Sequence, residues 1–281
     1  MNANIILRKI KALASRDSRL SINELRVIIA LERAIARLEY EPILAEHLVF
    51  KGGLVLLKSF DSLRFTRDAD ALAIGISKET LRDLVFKALS TNLQDGLWFA
   101  DTKLTELDEQ GQYGAYRFDC AFQIGPIDQA KVRKLPRIHI DVGFSDKLLV
   151  PPTRQDMPSL LSNDMPVSWL IYPVEYIVAE KLETLFERGS ANSRAKDIYD
   201  LVLLLPRCSA ENKLKDAILQ TFRNRGFPLP ASLQMTAAQF DKTVLKNAWP
   251  GVKVLEAKIG FESIWDQLLN YFEKLDKILS K

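Results

Sequence analysis

Asp68-Ala69-Asp70 sets two carboxylates at alternate positions of the segment Arg64 to Ile76, which turns from polar to apolar and is short enough to be a strand. Positions i and i+2 of a strand face the same side, so the two side chains would stand where a hard divalent cation such as Mg²⁺ can bridge them. Taken alone, D-x-D is also the pattern of a solvated strand edge, and the surrounding residues have to decide. Gly52 and Gly53 follow the apolar pair Val49-Phe50, and Gly53 lies 15 positions before Asp68. The run Leu54 to Phe60 fits a short buried helix beginning at the glycine pair, a place where backbone N–H groups can face a phosphate. A third carboxylate, Asp141, sits in the run Arg137 to Val142, whose alternation puts Arg137, His139 and Asp141 on one face. A glycine turn, two carboxylates on the next strand and a third on a later one are the set that nucleotidyl transfer needs. One metal ion would serve the leaving pyrophosphate and another would lower the pKa of an attacking hydroxyl.

The elements that must position these residues are legible in outline. Ser21 and Glu24 form a capping box, after which Leu25, Ile28, Ile29, Ile35 and Leu38 recur at helical spacing, predicting an amphipathic helix from Ile22 to Glu39. Pro42 opens a helical turn, and Lys78 to Leu89 reads as a further helix. The β-like runs Leu97 to Leu107 and Tyr113 to Ile124 flank the turn Glu109-Gln110-Gly111-Gln112 and predict a hairpin. Pro151 to Pro173 is rich in Pro, Ser, Asn and Asp, and a domain boundary is expected there, dividing residues 1–150 from 151–281. Beyond it the pattern is helical: a helix from Pro173 to Arg188, one capped by Ser193 and running to Leu205, one from Lys213 to Arg223, and one from Phe261 to Leu279. A mixed α/β half followed by a helical half is an α+β architecture.

Composition narrows the chemistry further. With 47% hydrophobic residues in 281, the chain can bury one or two ordinary cores. Thirty-nine Lys and Arg against 36 Asp and Glu leave +3, too balanced for binding that rests on bulk positive charge. A local basic run does exist, Lys131, Arg133, Lys134 and Arg137, suited to RNA phosphates or else a solvated loop. Cys120 and Cys208, 88 residues apart, with only His47 and His139, speak against structural zinc and a disulfide framework. No run approaches the roughly 20 apolar residues of a membrane span, and the N-terminus lacks a signal-peptide pattern, so a cytoplasmic setting is expected. His139 reads as a hydrogen-bonded structural residue.

The segment Lys51-Gly52-Gly53-Leu54 followed by Arg64-Phe65-Thr66-Arg67-Asp68-Ala69-Asp70 resembles the signature of the AbiEii/AbiGii toxin family, a branch of the polymerase-β-like nucleotidyltransferase superfamily. Ala179-Glu180-Lys181-Leu182 and Arg194-Ala195-Lys196-Asp197-Ile198-Tyr199-Asp200 resemble its later signatures, so that with Asp141 the similarity covers roughly residues 20 to 205. The resemblance implies a minimal nucleotidyltransferase sheet with a C-terminal helical region that completes the active-site cleft. It also implies Mg²⁺, two ions in all, an NTP donor, an RNA acceptor such as the 3′ end of tRNA, growth arrest, and a cognate antitoxin encoded nearby. Carried over residue by residue, it makes Asp68, Asp70 and Asp141 metal ligands and, with Lys181 and Asp197, the catalytic set. Lys51, Gly52, Gly53, Thr66, Arg67, Lys181, Arg194, Lys196 and Asp200 become nucleotide-binding. Where relatives usually have Ser or Thr after the glycine pair, this chain has Leu54, so a hydroxyl donor to phosphate is absent.

Alternatives stand beside these assignments. Lys181, Thr184 and Arg188 recur at helical spacing, suited to a triphosphate tail or to a solvated helix face. Arg194, Asp197 and Asp200 fall on one helix side, where an ion-pair ladder within the helix would account for them without catalysis. An antibiotic-type enzyme modifying a small molecule, and a non-catalytic nucleic-acid-binding scaffold, are the competing functions; three like charges kept close together argue against an idle site.

Overall fold

In the computed structural model of the chain, residues 2–16, 20–107, 114–126, 129–145, 150–161, 167–254 and 258–281 are described. They divide into two compact units, Met1–Asp61 with Phe65–Tyr172, and Ser62–Arg64 with Pro173–Lys281. The expected turn Glu109 to Gln112 lies outside the described residues.

The first unit is built on a seven-stranded mixed sheet. Its strands are β1 (Leu48–Lys51), β2 (Asp68–Ile74), β3 (Leu97–Leu107), β4 (Ala115–Ile124), β5 (Arg137–Ser145), β6 (Thr153–Met157) and β7 (Val167–Ile171), in the order β3-β4-β5-β2-β1-β7-β6. β2 is central and antiparallel to β1 but parallel to β5, so the strands that carry the acidic residues lie side by side. β3 and β4 pair antiparallel as expected for a hairpin, with a register shift between Ala100 and Lys103. β6 and β7 lie in the stretch where the sequence suggests a boundary, yet they form the far edge of this sheet. Val167, Trp169 and Ile171 alternate inward, and a five-residue strand between polar, proline-rich flanks is too brief to stand out from them.

Around the sheet pack α1 (Ala3–Arg16), α2 (Ile22–Tyr40), α3 (Pro42–His47), α4 (Gly52–Ser59) and α5 (Lys78–Ser90). Ser21 caps α2 as its capping box predicts: its backbone N–H donates to Glu24 Oε2 at 2.9 Å, and its hydroxyl accepts from the Glu24 N–H. α2 is not amphipathic in place, because it is buried on every side from Ile28 to Leu38, including Glu32, Arg33 and Arg37. Charges so deep need partners. Glu32 takes an ion pair from Lys58 and the backbone N–H of Leu160 at 3.1 Å. Arg37 forks onto Asp95 at 2.8 and 2.9 Å and donates to the carbonyls of Arg33, Thr91 and Leu97.

The second unit is helical: α6 (Val174–Arg188), α7 (Ala195–Leu204), α8 (Glu211–Asn224), α9 (Leu233–Ala238), α10 (Thr243–Ala248) and α11 (Phe261–Leu279). Its core joins Phe186 to Phe272 and Phe240, with ring centroids 5.5 and 5.7 Å apart. Asp276 of α11 accepts from Ser232 and from the Leu233 and Gln234 N–H groups, tying down the start of α9. Ser193 does not cap α7; Arg194 holds the cap position without a side-chain bond, because Asn192 Oδ1 takes the Arg194 N–H at 2.8 Å and turns the chain one residue later. Among the described residues no helix is long and apolar enough to cross a membrane.

Replacing Arg37 by Met leaves the Asp95 carboxylate buried without the guanidinium that forks onto it. Thermal or urea unfolding of that variant is expected to show a loss of about 3–5 kcal/mol.

Candidate active site

The sheet register assembles the first cluster. Lys51, Asp70, Asp141 and Arg117 are successive cross-strand partners on β1, β2, β5 and β4. Such neighbours project from the same face, so four charged side chains stand in one row. Asp68, His139 and Asp119 form the next row. The polar positions are partly exposed, whereas Ala69, Ala71, Ile138, Ile140 and Val142, interleaved with them, are buried on the other face.

Gly52 is required on two grounds. Its φ of +72° lies in the left-handed region, and a Cβ built there would fall 1.9 Å from Asp70 Oδ2. The Asp70 carboxylate therefore rests against the backbone where β1 turns into α4, where a helix N-terminus favours negative charge. The glycine pair read as a phosphate cradle thus also makes room for one of the acidic residues. Leu54 is 1% exposed and belongs to the core, which accounts for an apolar residue at that position.

Asp141 is held in place by a residue that sequence reasoning missed. Arg117 Nε donates to Asp141 Oδ1 at 2.8 Å and Nη2 to Oδ2 at 2.7 Å, a fork-to-fork pair. The hydrogen bond to Asp141 raises the Arg117 pKa against the opposing effect of burial, and the charges of Asp141, Asp68 and Asp70 add to it. Polar alternation of Arg117 and Asp119 was the available signal, but register decides which residue meets Asp141.

The remaining first-unit residues take supporting places. Thr66 is buried, and its hydroxyl donates to the Asp68 carbonyl at 3.3 Å and accepts from the Asp68 N–H at 3.5 Å, bracing the start of β2. Arg67 lies over the Phe65 ring, and the Lys51 ammonium lies 5.3 Å from the Tyr172 ring centroid. Gly53 is buried in the first turn of α4. Of the basic run, Lys131, Arg133 and Lys134 are exposed on a short 3₁₀ segment, Gln129–Lys134. Arg137 is instead bound to Asp119 and Asp101, because the bulge in β3 brings Asp101 to it. His139 has its Nδ1 buried without a hydrogen-bond partner among the described residues.

A second cluster lies within the helical unit. Lys181 of α6 donates to Asp197 Oδ1 and Asp200 Oδ2 of α7, each at 2.7 Å. Arg64 forks onto Asp200 at 2.8 and 3.0 Å, and Arg194 Nε donates to Asp197 Oδ2 at 2.7 Å. This is not a ladder confined to one helix, since Lys181 and Arg64 come from elsewhere in the chain. Burial pushes the Asp197 carboxyl up, but the charges of Lys181 and Arg194 and their hydrogen bonds outweigh it and hold the group well below the usual carboxylate range. Burial pulls the Lys181 ammonium down, and Asp197 and Asp200 more than offset it. Lys181, Thr184 and Arg188 of α6 have separate surroundings: Thr184 accepts from Arg225 at 3.1 Å, and Arg188 is exposed beside Glu187. Lys196 is exposed on α7.

Among the described residues no three His, Cys, Asp or Glu side chains are gathered as a ready metal cage. Mg²⁺ asks for less, one or two carboxylates together with substrate phosphates. Asp68 and Asp70 on one strand face, with Asp141 in register and Gly52 leaving space for Asp70, fit that donor set.

A family model described as nucleotidyl transferase AbiEii toxin, type IV toxin-antitoxin system, matches residues 33–254. The chain belongs to the AbiEii nucleotidyltransferase toxin family. It is accordingly a transferase, with an NTP as substrate and an antitoxin as partner. Comparison with curated proteins gives no match. Its fold is similar to that of MenT4, a nucleotidyltransferase toxin from Mycobacterium tuberculosis H37Rv, with a TM-score of 0.62 and 18% identity over 90% of this chain and 84% of that one. JHP933 from Helicobacter pylori is also similar, with a TM-score of 0.53 and 17% identity over 93% of this chain and 95% of that one.

Gly52→Ala forces the Asp70 carboxylate away from α4. NTP turnover by this AbiEii-family variant, followed as pyrophosphate release, is expected to drop about a hundredfold. Acid unfolding tests the second cluster. A carboxyl depressed in the folded state lends stability that is present above its unfolded pKa of about 3.9 and lost as pH falls toward the folded value. Circular dichroism should therefore show stability falling below about pH 4, with a flatter dependence in Asp197→Asn.

Proposed function

We propose that this AbiEii-family chain transfers a nucleotidyl group from an NTP to RNA, with the 3′ end of tRNA as acceptor and growth arrest as the consequence. The observation that carries the proposal is the row made by Asp70 and Asp141, with Asp68 beside it, on one sheet face of a family nucleotidyltransferase. In this reading Asp68 and Asp70 hold Mg²⁺, joined by Asp141 when substrate is bound. The metal ion supplies charge neutralisation on the triphosphate and lowers the pKa of the acceptor hydroxyl. An oxygen of that hydroxyl bonds to the α-phosphorus, the bond to the oxygen bridging to the β-phosphorus breaks, and pyrophosphate leaves. Asp141 accepts the hydroxyl proton, and Gly52, Gly53 and Lys51 position the phosphates.

In the same reading Lys181, Arg194 and Lys196 are the nucleotide-binding cations of the helical unit. Asp197 and Asp200 fix the direction of Lys181, and that role is supported by its two 2.7 Å bonds. Thr66 and Arg67 set the entry to β2 beside the nucleotide. The exposed Lys131, Arg133 and Lys134 supply a surface for RNA phosphates and favour RNA over a cationic small molecule as acceptor. Such an enzyme would act in the cytoplasm, beside its tRNA and an antitoxin encoded nearby.

Incubation with Mg²⁺, each labelled NTP in turn and total tRNA tests this directly. The native protein is expected to transfer label to RNA, and a variant carrying Asp68→Ala with Asp70→Ala is expected to lose the transfer while unfolding at nearly the native temperature. Transfer by the double variant, or label appearing only on small molecules, would overturn the reading.

A further inference from the structure

Three like charges, Asp68, Asp70 and Asp141, share one face of β2 and β5, and close carboxylates repel unless a cation lies among them. Among the described residues the row holds two, Lys51 beside Asp70 and Arg117 beside Asp141. Arg117 is the next residue along the row from Asp70 and Asp141, and both carboxylate oxygens of Asp141 accept from its guanidinium. Asp141 is 14% exposed, whereas the Arg117 side chain is 41% exposed, so the arginine reaches the row from its solvent side. The pair is therefore breakable without disturbing the core: the stem of Arg117 can swing outward while the strand keeps its register.

We propose that Arg117 is a positioning residue that serves as the resident counter-cation of the carboxylate row and competes with the divalent ion for Asp141. This rests on the proposed metal-holding role of Asp68, Asp70 and Asp141. A divalent cation brought beside Asp70 repels the guanidinium and attracts the same carboxylate, so Arg117 and the metal oppose each other's binding. In the protein without metal, Arg117 keeps the third carboxylate aligned and its charge offset. With metal bound, the arginine gives up one or both of its bonds and Asp141 turns to the shared ion. The one-row arrangement makes this competition local, and neither Arg137 nor Lys51 takes the place of Arg117 at Asp141: Arg137 is committed to Asp119 and Asp101, and Lys51, on β1, is the cross-strand partner of Asp70.

Mn²⁺, which can be counted free in solution by electron paramagnetic resonance, is the probe. It is titrated into the full chain as the native protein, Arg117→Met, Arg117→Lys, Arg117→Met with Asp141→Asn, and Asp68→Ala with Asp70→Ala. Arg117→Met is expected to bind Mn²⁺ about tenfold more tightly than the native chain. Arg117→Lys, which keeps the charge but loses the fork, should fall between the two and guards against a folding defect in the Met variant. Adding Asp141→Asn should cancel the gain. Equal or weaker binding by Arg117→Met and Arg117→Lys, with binding still dependent on Asp68 and Asp70, would overturn the role of Arg117 alone. Binding that is absent in every protein, or indifferent to Asp68 and Asp70, would overturn the metal-holding reading and this inference with it.

Discussion

Like charges placed side by side across a sheet are the constraint on which the first unit depends. Asp70 and Asp141 are direct partners on parallel strands, with Asp68 two residues away on the same face, and their repulsion has to be met by neighbours rather than by burial. The neighbours answer it differently. Gly52 removes the Cβ that would strike Asp70 and lets its carboxylate approach the backbone at the start of α4. Arg117 takes both oxygens of Asp141. Central placement of β2 between β1 and β5 sets the two carboxylates side by side, so that one answer reaches Asp70 and the other Asp141.

The helical unit solves a related problem with the opposite economy of exposure. Asp197 and Asp200 are almost completely buried, and three cations, Lys181, Arg64 and Arg194, share them. A network of this kind is costly to assemble and costlier to break, since removal of one member strands a charge in a low-dielectric interior. That gives Lys181 a fixed direction, toward Asp197 and Asp200. It also explains how Arg64, a neighbour of the β2 strand in the chain, comes to belong to the second unit, where it also forms a β-bridge with Val254.

Burial of charged residues within α2 follows the same rule in a purely structural setting. Glu32 and Arg37 are tolerated in the middle of a buried helix because each meets several partners from distant segments. A periodicity argument assigns such residues to a solvated face, since charge usually means water. Here the sheet and the polar loop around Leu160 surround the helix, and the side chains find bonds inside.

Much of this protein was determined by local sequence: the capping box at Ser21, the polar-to-apolar run of β2, the period-two run of β5, the hairpin strands β3 and β4, the glycine pair entering α4, and the motifs that identify the family. These are short-range signals, set by backbone geometry and side-chain period within a few residues. Only the tertiary structure decided the partners. Arg117 and Asp141 are 24 residues apart and Arg64 and Asp200 are 136 apart, and no local pattern specifies which charge meets which. Strand register and helix packing make those choices, because an ion pair is chosen by where the backbone carries the two charges after the apolar surfaces have found one another.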